Sequence, residues 1–266
     1  MSDTVLYDVQ DAIGTITLNR PESLNAMDTE LLDTLVTIGR KAAEDPGVRC
    51  VVITGAGRAF CAGGDVKGMA SRGSGEGGGR GVLNGWGRLR EQEEISRLLH
   101  EMPKPTIAAI NGPAAGAGMS IALAADFRIM SDQARIVPAF AKVGFSGDFG
   151  GTWFLQRLVG AQRAREIYML AEPITPDQAL ADRIVNKVVP HERLMDETMA
   201  LARRLASGPT LAFGRMKQNF SVGASSTLAD ALTLEAQNMV ASSATEDHRN
   251  AALAFVEKRE PEFKGR

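Results

Sequence analysis

The sequence predicts an α/β protein, and three observations carry that expectation. Two apolar, strand-like runs, residues 48–54 and 106–110, each lead into a turn built of small residues. Each turn is followed by a segment able to start a helix. Beyond about residue 160 the pattern is mostly helical, with one further strand-like run near 184–189. Strands that alternate with helices call for a largely parallel sheet covered by those helices.

The elements follow in order. Residues 4–9 and 13–18 read as a short hairpin, with Ile13, Thr15 and Thr17 alternating with Gly14, Ile16 and Leu18, and Asp11-Ala12 making the turn. Asp28 is placed to cap a helix running to about Ala43, whose stripe is Leu31, Leu35, Ile38 and Ala42 with Leu32 beside it. Residues 48–54 form a buried strand. Residues 73–87 hold eight glycines among fifteen positions, which predicts a mobile surface loop and, given its place after the first turn, a candidate lid. A helix over 88–100 ends before Pro103-Lys104-Pro105. The strand 106–110, the second turn and a small-residue helix over 117–125 come next, then strand-like runs at 127–131 and 135–137. Gly150-Gly151 precede a helix rich in Trp153, Phe154, Leu155 and Leu158, and Pro209 separates two late helices. No sequence repeat is evident.

Composition narrows the function classes. The 266 residues are 44% apolar and 23% charged, enough for one large domain or one domain with an appendage. A net charge of −2 argues against nucleic-acid binding through bulk charge. The nearest basic cluster, Arg157, Arg163 and Arg165, is short and lies near acids. Cys50 and Cys61 are the two cysteines and fit reduced thiols, so a cytoplasmic location is expected. His100, His191 and His248 are far apart and no metal-ligand spacing occurs, so no metal site is expected. The N-terminal residues lack the basic and apolar regions of a signal peptide, and no apolar run approaches a membrane span.

The two turns, Arg58-Ala59-Phe60-Cys61-Ala62-Gly63-Gly64-Asp65 and Asn111-Gly112-Pro113-Ala114-Ala115-Gly116-Ala117-Gly118, are the candidate functional elements. Glycine and alanine let backbone approach a ligand closely, and a helix start offers free N–H groups at the positive end of the dipole. Two such turns can aim two N–H donors at one oxygen, an oxyanion hole made of backbone. The alternative is a pair of ordinary strand-to-helix turns. Both also match the first two glycines of a dinucleotide loop and lack the third. No Gly-Lys-Ser/Thr sequence is present, so a phosphate-binding loop of the nucleotidase kind is absent.

Together with Asn19-Arg20-Pro21-Glu22-Ser23-Leu24-Asn25-Ala26, Gly150-Gly151-Thr152 and Ala254-Phe255-Val256-Glu257-Lys258-Arg259, these turns resemble the crotonase, or enoyl-CoA hydratase/isomerase, superfamily in order and spacing across nearly the whole chain. The resemblance implies a spiral of ββα units over residues 1–200 carrying the coenzyme A site. It also implies a helical C-terminal oligomerisation region over 201–266, a homotrimer or dimer of trimers, and an acyl-CoA thioester as ligand. Coenzyme A would be part of the substrate, with no separate cofactor. By the same match, the oxyanion donors are the N–H groups of Gly64 and Ala117. Ala62, Asp65, Val66 and Lys67 line the coenzyme, Leu24 and Ala26 contact its nucleotide part through backbone, and Phe255 and Lys258 reach it, often from a neighbouring subunit.

The family's hydratases place two glutamates around a water. The matching positions here are Ser120 and Phe140, neither of which is a carboxylate. Asp148 remains, among glycines and aromatics, where desolvation would raise its pKa from about 3.9 toward a value useful for a base. A turn-forming Asp that hydrogen-bonds its own backbone is the alternative. Within the superfamily the arrangement is most similar to a branch that isomerises ring-epoxide acyl-CoA and shifts double bonds. The reading is therefore an acyl-CoA isomerase with Asp148 as base. A hydratase or hydrolase is the runner-up, and a noncatalytic acyl-CoA or RNA-binding protein the third reading.

Overall fold

The computed structural model describes residues 3–65 and 79–266. Six strands form the main sheet: β1 (Val5–Gln10), β2 (Ile13–Leu18), β3 (Cys50–Gly55), β4 (Thr106–Ile110), β6 (Phe127–Ser131) and β8 (Lys187–Val189), in the order β1-β2-β3-β4-β6-β8. Strands β1 and β2 are antiparallel and every later pairing in this sheet is parallel. The hairpin closes on Asp11 and Ala12, both at positive φ (52° and 59°), the left-handed pair that a two-residue turn demands. The parallel strands β3 and β4 are buried at every residue. That explains their unbroken apolar runs, since a parallel sheet is covered on both faces.

One face is covered by α1 (Thr29–Glu44), α3 (Glu94–Glu101) and α4 (Ala117–Ala124). Helix α1 starts where expected, because Asp28 Oδ1 accepts from the Leu31 N–H at 2.9 Å. Its predicted stripe, Leu31, Leu35, Ile38 and Ala42, is buried. The other face is closed by α8 (Leu194–Ala206), whose Leu194, Ala202 and Ala206 pack on Ile13, Cys50, Val52, Ile107 and Ile129. Helices α5 (Gly151–Val159), α6 (Ala161–Leu170) and α7 (Pro176–Ala181) lie between β6 and β8 in sequence. The chain ends with α9 (Thr210–Gly223), α10 (Leu228–Ser243) and α11 (Glu246–Glu257).

One expectation fails. The glycine-rich stretch was expected to be loop through Gly87, yet α2 (Gly79–Gln92) is helical from Gly79; residues 66–78, with the rest of that stretch and Val66 and Lys67, lie outside the described residues. Four glycines in a helix oppose it by ~1 kcal/mol each, so local propensity pointed the wrong way. Tertiary contacts hold the end of α2. Gln92 Nε2 donates to Asp33 Oδ1 at 3.0 Å, and Arg88 pairs with Asp33 at 3.7 Å. The expected helix over 88–100 is thus two helices, α2 and α3, interrupted at Glu93.

Candidate active site

A second, shorter layer brings the two small-residue turns together. Strand β5 (Ala114–Ala115) pairs in parallel with β7 (Ile136–Val137). Cys61 bridges to Ala114 on one side, while Gly64 bridges to Met27. The bonds are regular: Cys61 N–H to Pro113 O at 3.1 Å, Ala115 N–H to Cys61 O at 2.8 Å, and Met27 N–H to Gly63 O at 2.7 Å. The turns are neighbouring rungs of one ladder, although 53 residues separate Gly64 from Ala117 in sequence (117 − 64).

Two buried amides lock the first turn. Asn111 Nδ2 donates to the carbonyls of Gly55 (2.9 Å), Gly57 (2.9 Å) and Ala59 (3.2 Å). Asn25 Nδ2 donates to Ala56 O (3.0 Å) and Ala59 O (2.8 Å), and its Oδ1 accepts from Arg20 N–H at 2.9 Å. A turn whose carbonyls are taken up on one side is left with its later N–H groups facing the other. Among the described residues neither Gly64 N–H nor Ala117 N–H finds an acceptor. Ala117 opens α4, where the helix dipole adds positive potential. The turns meet because side chains are missing. A Cβ at Gly63 would lie 2.9 Å from Ala115 O and 3.8 Å from Ala117 N, and one at Gly118 only 2.5 Å from Cys61 O.

Asp148 stands at the mouth of α5. It is half-buried, and its Oδ1 is fully buried without a hydrogen-bond partner among the described residues. Its carbonyl accepts from Gly151 N–H at 3.1 Å, so the segment is a turn, as expected, but the carboxylate oxygen Oδ1 is not used to make it. Burial, and then the neighbouring charge of Glu93, push its pKa up to about 6. Glu93, at the break between α2 and α3, accepts the Phe149 N–H at Oε1 (3.0 Å).

Ser120 and Phe140 adjoin this turn. Ser120 is fully buried, and its Oγ donates to Gly116 O at 3.3 Å. Phe140 stacks on Tyr168 with centroids 5.8 Å apart and planes 7° apart. The Tyr168 hydroxyl lies with Ser120 Oγ against the face of Gly151, where a Cβ would fall on both. Burial pushes the phenol up to about 12; the Ser120 hydroxyl opposes the shift and the Asp148 charge adds to it. Phe140 and Tyr168 line a cavity of about 390 Å³ with Phe145, Ser146, Thr152 and Gln156.

The other expected residues divide into two groups. Leu24 and Ala26 sit beside the first turn, and Ala62 and Asp65 lie within it: Ala62 N–H donates to Leu24 O at 2.9 Å, Asp65 N–H to Met27 O at 3.1 Å, and Arg20 Nη1 to Ala26 O at 2.6 Å. Phe255, 85% exposed, and Lys258 lie at the end of α11, and no described contact joins them to the turns within one chain. Both cysteines are buried and unpaired, with thiols pushed up to about 12 mainly by burial, which leaves them unreactive. Arg163 is neutralised by Asp182 and Glu166, and Arg157 lies over the Trp153 ring. Among the described residues no helix is long and apolar enough to cross a membrane.

Sequence reasoning missed Glu93, Tyr168 and the roles of Asn25 and Asn111. Glu93 lies 55 residues before Asp148 (148 − 93), and no local pattern joins them. An asparagine that ends a strand just before a glycine turn was the available signal for Asn111.

The enoyl-CoA hydratase/isomerase family profile matches residues 8–266. A 1,2-epoxyphenylacetyl-CoA isomerase of Escherichia coli K12 is 36% identical over 266 residues, 100% of both chains. A short-chain-enoyl-CoA hydratase of Clostridium acetobutylicum is 34% identical over 266 residues, 99% of each chain. Among solved structures, an enoyl-CoA hydratase from Bacillus anthracis superimposes with a TM-score of 0.90 at 32% identity, covering 99% of this chain and 100% of that one.

Proposed function

The chain belongs to the enoyl-CoA hydratase/isomerase family, and from that premise we propose that it is an acyl-CoA isomerase with Asp148 as its proton-transfer base. The observation that carries this reading is the Asp148 carboxylate, half-buried, with Oδ1 unpartnered among the described residues and an affinity for protons raised toward neutrality. Such a group takes a proton from carbon and gives it back at comparable cost. Removing a proton next to a thioester places negative charge on the thioester oxygen. The N–H groups of Gly64 and Ala117, unpaired among the described residues, are suited to oppose that charge, and losing one such donor typically costs about 3–4 kcal/mol of barrier. Proton return at another carbon completes a double-bond shift. The same enolate chemistry serves a ring-epoxide acyl-CoA, the substrate named for the Escherichia coli relative.

Ser120 and Phe140 occupy the positions that the resemblance matches to the hydratases' two glutamates, which supports isomerisation. The hydratase reading draws on Glu93, which brings a second carboxylate beside Asp148, and on the hydratase names of relatives of similar identity. The pure protein decides between them. It should isomerise a β,γ-unsaturated or ring-epoxide acyl-CoA at least about tenfold faster than it hydrates crotonyl-CoA. Hydration at an equal or greater rate overturns the isomerase assignment.

A further inference from the structure

We propose that Glu93 is a positioning residue for Asp148: it anchors the turn that carries the base and supplies a fixed negative charge beside it. The proposal rests on the isomerase reading for its consequence in catalysis, but not for its geometry.

That geometry is specific. Phe149, next to Asp148, is a buried aromatic residue at φ 50°, a left-handed conformation that bulky residues avoid. Such a residue persists only where its surroundings hold it. Its N–H is held by Glu93 Oε1 at 3.0 Å, a charge-assisted bond. The anchor comes from another part of the fold, the break between α2 and α3, where the half-buried Glu93 precedes the first turn of α3. The bond therefore fixes the Asp148 turn to the body of the domain. Flanking glycines make an anchor necessary: Gly147 (φ 109°) and Gly150 (φ 75°) leave the turn little stiffness of its own.

The charge of Glu93 acts on the same residue. Among the described residues the ionisable neighbours of Asp148 are Glu93 and, on α6, the Tyr168 phenol, which is neutral at working pH. Among the described residues no cation pairs with the Asp148 carboxylate, and Glu93 is the one charge acting on it. Holding two carboxylates close disfavours ionisation of the more buried one. Glu93 thus makes Asp148 a stronger base than burial alone would.

Two substitutions separate the roles. Glu93→Gln keeps an acceptor for Phe149 N–H and removes the charge; Glu93→Ala removes both. The readouts are the Asp148 carboxyl ¹³C resonance, identified by its loss in Asp148→Asn and titrated against pH, and the pH profile of kcat. Glu93→Gln should lower the Asp148 midpoint by on the order of half a pH unit to one unit. The acid limb of kcat should move down by the same amount, with the plateau reduced only several-fold. Glu93→Ala should lower the plateau by roughly tenfold or more, with partial recovery in Glu93→Gln. An Asp148 midpoint unmoved in both variants overturns the electrostatic role, and an unchanged plateau in Glu93→Ala overturns the anchoring role. If wild-type protein shows no isomerase activity, the isomerase reading fails, while the carboxyl titration still decides whether Glu93 governs Asp148.

Discussion

Asp148 binds its proton more tightly in the folded protein than a free aspartate does, at about 6 against 3.8. The fold therefore favours the neutral acid. That preference does not weaken the protein below about pH 4, where folded and unfolded forms are both protonated. Stability is lost as pH rises from there through about 6, by up to about 3 kcal/mol. Asp148→Asn removes the ionisation, so it should melt higher than the parent at pH 8 and equally near pH 4, as thermal unfolding at the two pH values will show. The same variant should lower isomerase turnover by roughly 10²–10⁴ with coenzyme affinity retained. Near-normal turnover would reduce Asp148 to a turn residue. Its candidacy was legible in the sequence because it is a carboxylate among glycines and aromatics. The identity of what surrounds it was not, since Glu93 reaches it from the break between α2 and α3, and Tyr168 from α6, through tertiary packing.

At the level of elements, the two turns were legible and their meeting was not. Apolar runs and small residues marked each as a strand-to-helix connection. Only the ladder Met27–Gly64 and Cys61–Ala114–Ile136 lays them side by side. One tight point where the two turns meet is Gly118. A methyl group there would press on Cys61 O at 2.5 Å and Cys61 Sγ at 2.9 Å, and the backbone carbonyl cannot step aside. Gly118→Ala should cost about 1–3 kcal/mol of stability through overpacking. It should also part the turns enough to reduce kcat more than coenzyme binding, which unfolding curves and steady-state kinetics measure separately. Loss of stability with kcat unchanged would mean that the turns need not touch to work. Helix α2 is the opposite lesson: its glycines spoke for a loop, and contacts with Asp33 on α1 prevailed.

The whole molecule leaves large apolar side chains of its C-terminal helices uncovered. Helix α10 buries none of its residues, and Phe220, Leu228, Met239, Phe255 and Val256 are each at least 70% exposed. Apolar surface on that scale calls for a partner, and the sequence resemblance names a second copy of the chain. Light scattering should show a trimer or hexamer; a stable monomer would contradict this. Lys258, at φ 55° on the end of α11, should meet a coenzyme phosphate as a point charge, so Lys258→Ala should weaken acyl-CoA binding and leave turnover at saturation little changed. Undiminished affinity in that variant would remove Lys258 from the site. The amide-locked ladder has a consequence for how such a protein diversifies. Its proposed oxygen-holding groups are main-chain atoms, which substitutions away from the close-packed glycines of the turns leave in place, while the proposed proton-handling side chain stands on a separate turn. A lineage built this way can exchange one reaction for another by rewriting that turn and its anchor at Glu93, and inherit the grip on the thioester unchanged.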